Sequence, residues 1–445
     1  MKNKMFKYLI ASGLLFVSSG LKAQEVVTET PALDSGNTAW ILAATMLVML
    51  MTIPGLAFFY GGLVRRKNVL SVMMQCVVLT AVITIEWIVY GYTAVFGTGL
   101  QGSWTGTIIG GFDKFFLHGI HLDTLSGGNI PEILFALFQC KFAVITPALI
   151  VGAFAERIKF SGFLLFSILW SILVYNPVAH WVWGGGWMSA LGAIDFAGGT
   201  VVHINAGVSA LVMALMLGRR QDYGSRLIVP HNIPFVVLGT ALLWLGWFGF
   251  NAGSGLTADG IAANAFLVTH LATSVAATAW MVLEWMLHKK PTVVGICTGA
   301  VAGLVAITPA AGTVDAMGSL FIGLIASCVC YAFVAYVKPK MKYDDSLDAF
   351  GVHGVGGFVG AILTGVFATQ FVTGEGGQQG ALYGDWGQLW IQVVVNGAAV
   401  AFAAAMTFIL FKIVDKSLGL RVSEKAESVG LDISQHGEIA YSEEE

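Results

Sequence analysis

A chain of 445 residues that is 56% hydrophobic and 11% charged, with a mean hydropathy of +0.78, is too apolar for a water-soluble enzyme, since soluble domains average about 45–50% apolar and about 25% charged residues. A formal charge of −3 offers no basic face for nucleic acid, and 29 Phe and 13 Trp among so few charges exclude a disordered chain. What remains is an integral membrane protein of many spans, with most of its 55 Gly in apolar stretches where small residues let helices approach closely.

Residues 1–23 read as a secretory signal peptide. Lys2, Lys4 and Lys7 precede a short apolar run from Leu9 to Val17, and Leu21-Lys22-Ala23 puts a small residue before Gln24. Apolar runs of about 20 residues, the length a bilayer demands, then begin near residues 38, 70, 131, 160, 196, 233, 260, 292, 318, 349 and 386. Positive charges test this count of eleven. Alternate connections hold Arg65, Arg66 and Lys67; Arg157 and Lys159; Arg219, Arg220 and Arg226; Lys289 and Lys290; Lys338, Lys340 and Lys342. The last span is followed by Lys416, Arg421 and Lys425, while the opposite connections carry only Lys114. Lys and Arg mark cytoplasmic loops, so the mature N-terminus lies outside and the C-terminus inside. The reading is an all-α membrane protein with an eleven-span domain over residues 24–415. Residues 416–445, polar and ending in Glu443-Glu444-Glu445, form a soluble cytoplasmic tail. Cys76, Cys140, Cys297, Cys328 and Cys330 sit in apolar runs without metal-ligand spacing and read as small buried hydrophobes.

Polar groups at membrane depth are costly and point to function. His203, in the fifth span, and His353, in the tenth, are each flanked by glycines. They lie five spans apart, and an odd offset reverses direction. Spans 1–5 and 6–10 therefore read as inverted repeats, which bring equivalent residues face to face at the midplane, with a long eleventh helix added. Two neutral imidazoles bonded to each other would line a narrow path with a donor and an acceptor and share one proton. No third ligand accompanies them, so they do not read as a metal site. Glu86 and Lys141 are both charged and, counted along their spans, both ~15 Å from the outer surface; a structural ion pair bracing the third span is expected. Asp195 opens the fifth span and reads first as a cap on free backbone amides.

In order along the chain stand Phe138-Gln-Cys-Lys-Phe142-Ala-Val-Ile-Thr-Pro, Ala155-Glu-Arg-Ile-Lys159-Phe and His180-Trp-Val-Trp183-Gly-Gly-Gly. Asp195-Phe-Ala-Gly-Gly-Thr-Val-Val-His203-Ile-Asn, Trp247-Phe-Gly-Phe250-Asn-Ala-Gly-Ser254, Phe350-Gly-Val-His353-Gly and, in the tail, Gly419-Leu-Arg-Val, Gly430-Leu-Asp and His436-Gly follow. Together they closely resemble the Amt/Mep/Rh family of ammonium transporters, nearest its bacterial Amt branch. The resemblance implies eleven spans, a homotrimer with one pore per subunit, and a place in the bacterial inner membrane. It implies an outer recruitment site from Phe138, Phe142, Trp183 and Ser254 with Asp195 nearby, a gate of Phe142 over Phe250, and a pore or proton relay of His203 and His353. It implies no cofactor, and a cytoplasmic face on which a PII-type signalling trimer docks.

The physics of ammonium agrees with that set. A desolvated cation over aromatic rings gains about 2 kcal/mol, and one N–H can reach a hydroxyl oxygen. The expected course is loss of water at the outer site, loss of a proton at or below the gate, and passage of ammonia past the histidines; the proton follows separately or returns. Three other readings are weaker. A sensor could signal only through a short tail without a catalytic domain. An Rh-like conductor of neutral gas would not need Trp183 and Ser254, which recognise charge. No Ser/His/Asp set, metal cluster or phosphate loop suggests a membrane enzyme.

Overall fold

The computed structural model describes residues 32–441, so the signal peptide read over residues 1–23 lies outside the described residues. Ten helices are long and apolar enough to cross a membrane, and an eleventh apolar helix is shorter. They are α1 (Ser35–Leu63), α2 (Arg66–Phe96), α3 (Glu132–Phe154), α4 (Phe160–Ala190), α5 (Gly199–Leu217), α6 (Ile233–Gly253), α7 (Gly260–His288), α8 (Val293–Ile307), α9 (Ala316–Met341), α10 (Phe350–Phe367) and α11 (Trp386–Ser417). All eleven sit where the apolar runs place them. The eighth has only 15 residues, less than the run of about 20 expected of a full span. Helix starts follow local chemistry: the side chains of Asp34, Asn232, Asp259, Thr292, Asp315 and Asp385 each accept a backbone N–H in the first turn of the helix they precede.

Glycine permits the closest crossings. A Cβ on Gly239 of α6 would lie 2.2 Å from the Phe59 nitrogen of α1. One on Gly207 of α5 would lie 2.1 Å from the Gly354 nitrogen of α10. The second crossing is the one that matters here, because α5 and α10 carry the two histidines. Each of these helices opens on a π-helical turn, Gly199–Ile204 and Phe350–Gly354, with its histidine inside. Such turns cluster at functional sites. The inverted repeat is visible in the caps as well. Asp195 lies eight residues before His203 and Asp345 eight before His353, and both carboxylates accept backbone amides of the helix that follows.

The connections rich in Arg and Lys are knotted together on one face. Glu156, 1% exposed, accepts from the Arg65 backbone and guanidinium and from Arg220. Arg220 also grips Asp344 through two nitrogens. Arg157 reaches the carbonyls of Ala153, Gly218 and Asp344. The tail is not free in solution, as a polar sequence suggested. Lys159 donates its amide to Leu420 at 2.7 Å, Val422 donates to Arg157 at 3.1 Å, and the Asp432 carboxylate accepts the Ser71 amide at 2.8 Å. Tail polar groups thus satisfy backbone groups of three loops, a role that charge composition alone does not reveal. All five cysteines are free, and Cys328 is exposed rather than buried.

Candidate functional site

Helix α3 carries Phe138 and Phe142 one turn apart, ring centroids 5.0 Å from each other and edge to face. Helix α6 brings Phe250 against Phe142, stacked at 4.2 Å with 26° between planes. Trp183, at the end of the α4 segment Asn176–Trp183, meets Phe142 edge-on at 5.8 Å. Its indole Nε1 donates to the Asp195 carbonyl at 2.8 Å. Ser254 caps the last turn of α6, where its hydroxyl donates to the Phe250 carbonyl at 2.8 Å. That leaves the Ser254 oxygen free to accept. Trp183 and Ser254 are half-buried, whereas Phe138 is fully buried and serves as backing for Phe142 and Gly253.

Asp195 is an extensive cap. One carboxylate oxygen accepts the amides of Gly198 (2.9 Å) and Gly199 (2.5 Å), the other those of Thr200 (2.8 Å) and Val201 (3.0 Å). Its lone pairs are thereby committed to the backbone. Gly198, with φ of 115°, adopts the left-handed conformation this turn requires.

Below Phe250 the file of rings continues. The His203 ring lies 6.2 Å from Phe250 and 5.4 Å from His353, nearly parallel to the latter at 18°. The imidazole-to-imidazole hydrogen bond expected from sequence is not formed. Both ring nitrogens of His203 and Nδ1 of His353 are buried without a hydrogen-bond partner among the described residues. Face-to-face packing turns the nitrogens of one ring away from those of the other. The reason lies in part in Trp247, which stacks on His203 at 5.4 Å and is itself tied down by Nε1–H donation to Thr308 at 2.9 Å. Sequence reasoning quoted Trp247 within a motif and gave it no role; only its position one turn before Phe250 hinted at one. Buried nitrogens without partners are expensive, so they mark a path for a small polar solute.

Two hollows flank the histidines. A slot of about 10 Å³ lined by Phe250, His203, Trp247, Ile145 and Leu243 is almost wholly apolar. On the other side, a cavity of about 300 Å³ is lined by Tyr60, Thr298, Lys338, Asp348 and Ser346. His353, Phe59 and Val301 border both, and so form the divide between them.

Glu86 and Lys141 do not form the expected ion pair. The Glu86 carboxylate instead accepts from Asn176 at 2.8 Å and Ser171 at 3.1 Å, both on α4. Equal depth on neighbouring helices was the ground for pairing them, but depth does not set the direction in which each helix faces. Lys141, buried like its neighbours on α3, has no carboxylate partner among the described residues.

The profile of the Ammonium Transporter Family matches residues 39–441. An ammonium transporter of Aquifex aeolicus is 52% identical over 92% of this chain and 94% of its own. One of Bacillus subtilis is 49% identical over 92% of this chain and its full length. The crystal structure of Mep2 from Candida albicans superposes with a TM-score of 0.82 at 36% identity, covering 92% of this chain and 90% of that one. By its sequence and by its fold, the chain belongs to the ammonium transporter family.

Proposed function

We propose that this multi-pass membrane protein recruits ammonium between Trp183, Phe142 and Ser254, strips it of a proton at the Phe142–Phe250 gate, and conducts ammonia past His203 and His353. The observation that carries this reading is the unbroken file of rings from Trp183 through Phe142 and Phe250 to the two imidazoles. At the mouth, cation–π attraction of about 2 kcal/mol and the free Ser254 oxygen replace part of the lost water. Phe138 stiffens Phe142 from behind, and Asp195 holds the turn beside Trp183. At the gate, the stacked rings leave no room for a hydrated ion. One N–H bond of ammonium breaks there, the electron pair stays on nitrogen, and ammonia enters the apolar slot, where the unpartnered imidazole nitrogens can accept from it or donate to it. The proton follows separately or returns outside. Labelled methylammonium uptake beside current recording on reconstituted protein tests the scheme. Replacing both His203 and His353 by Leu should abolish the current that accompanies uptake; wild-type currents would remove the histidines from the relay.

We further infer a homotrimer in the bacterial inner membrane, the N-terminus outside after cleavage of residues 1–23 and the tail inside. One face of α7 supports self-association: His270 and Thr278 are exposed and Ser274 half-buried, one turn apart, on a helix that crosses the membrane. Polar side chains there are costly against lipid and fit a protein neighbour. The tail docked over the Arg-rich loops supports a cytoplasmic face built for a PII-type signalling protein. Mass measurement of the detergent-solubilised protein, and co-purification with a PII trimer, test the two assignments.

A further inference from the structure

His180 stands one turn before Trp183 on α4 and is 2% exposed. Its Nδ1 faces the carbonyl oxygen of Val95 at 2.7 Å, and its Nε2 faces that of Gly106 at 2.9 Å. A carbonyl oxygen only accepts, and a neutral imidazole has one N–H. Both contacts are therefore satisfied only by a ring with hydrogen on both nitrogens. The setting suits such a ring. Val95 lies in the last turn of α2, and His180 in the last turn of the α4 segment that ends at Trp183. Two helix C-termini converge there, each the negative end of its dipole.

The glycine triplet after Trp183 follows from the same contacts. A Cβ on Gly184 would lie 2.0 Å from the Val95 oxygen and 2.5 Å from His180 Nδ1. One on Gly186 would lie 2.9 Å from the oxygens of both His180 and Thr107. The His180 carbonyl in turn accepts from the amides of Gly184 and Gly186, both at 3.0 Å, which ends the helix directly after Trp183. Trp181 adds a third tie, donating from Nε1 to the Ile108 carbonyl at 3.1 Å.

We propose that His180 is a positioning residue for the outer cation site: a two-donor clamp that fastens the end of α2 and the loop around Gly106 to the end of α4, and so fixes Trp183 over Phe142. The proposal rests on the outer-site reading above. The indole N–H to Asp195 tethers only the tip of the Trp183 ring; His180 holds the backbone that carries it.

The test is the kinetics of labelled methylammonium uptake, corrected for membrane abundance, in the wild type, His180→Gln, Gly184→Ala, Trp183→Leu and the double variant Trp183→Leu/His180→Gln. Gln keeps one donor atom of the two, and Ala at Gly184 pushes the ring from Val95. Each should raise KM several-fold with little change in maximal rate. In the Trp183→Leu background, His180→Gln should change KM by less than about twofold, because residues that act through one another are not additive. A wild-type KM for Trp183→Leu would sink the outer-site reading itself. With that variant impaired, an unchanged KM for His180→Gln, or an equal effect in both backgrounds, would overturn the clamp alone. Should His180→Gln not reach the membrane, nitrogen NMR of wild-type protein labelled at histidine decides: the His180 ring must carry two N–H groups, and a neutral ring overturns the proposal.

Discussion

Removing the Asp195 side chain takes the partner from four buried amides at once, those of Gly198, Gly199, Thr200 and Val201. A buried donor left unpaired costs about 1–3 kcal/mol. If water reaches half of them, on the order of 2–6 kcal/mol still falls on this one turn, more than the ~0.5–2 kcal/mol of an ordinary helix cap. The turn should open rather than bear that cost, and its Asp195 carbonyl would release the Trp183 indole. Asp195→Ala should therefore lower methylammonium uptake at least about 30-fold, the equivalent of ~2 kcal/mol. Asp195→Asn keeps one acceptor oxygen, enough for Gly198 and Gly199, but turns an NH2 group on the amides of Thr200 and Val201. Its uptake should fall between the wild type and Ala. The assay is uptake by cells lacking their own ammonium transporters, with membrane abundance measured in parallel. Near-wild-type uptake by both variants would refute the capping argument, and Asn as inactive as Ala would assign the effect to the negative charge.

Trp183→Leu removes one cation–π face and should raise KM for methylammonium by roughly 30-fold, the worth of about 2 kcal/mol; uptake measured over a concentration series reads it. Gly207→Ala forces a Cβ to within 2.1 Å of the Gly354 nitrogen. Backbone cannot yield as a side chain can, so no folded protein should be recovered from membranes, where Gly397→Ala, with open space at its Cβ, should be recovered in full. Glu156 offers a pH test. Burial pushes its carboxyl up, but Arg220 and then Arg65, with the amide and guanidinium bonds, outweigh this and hold it below the ordinary value. A carboxyl held low in the folded state stabilises the fold above the unfolded value, near ~4.3, and loses that contribution as pH falls through the folded one. Thermal stability in detergent should drop on acidification below ~pH 4.5. Glu156→Gln should be less stable at neutral pH and show a shallower drop; an unchanged profile would exclude the Glu156 cluster as its source.

The eleven helices and the Arg-rich loops were legible because they depend on quantities that run along the chain: apolar length and the alternation of charge. The histidine pair was legible for a related reason, since an odd offset between two glycine-flanked histidines implies opposed repeats. The choice of Phe138, Phe142, Trp183, Phe250 and Ser254 among so many aromatic and hydroxyl residues needed the family resemblance, because no period marks them. Only the tertiary structure decided how the side chains meet. It set Trp247 on His203 and kept the two imidazoles from bonding. It gave Glu86 to Asn176 and Ser171 rather than to Lys141, seated the tail on three loops, and aimed His180 at two carbonyl oxygens. Each of these depends on the rotation of one helix about its axis and on how closely glycine lets another approach, and both are settled by contacts between residues far apart in the chain.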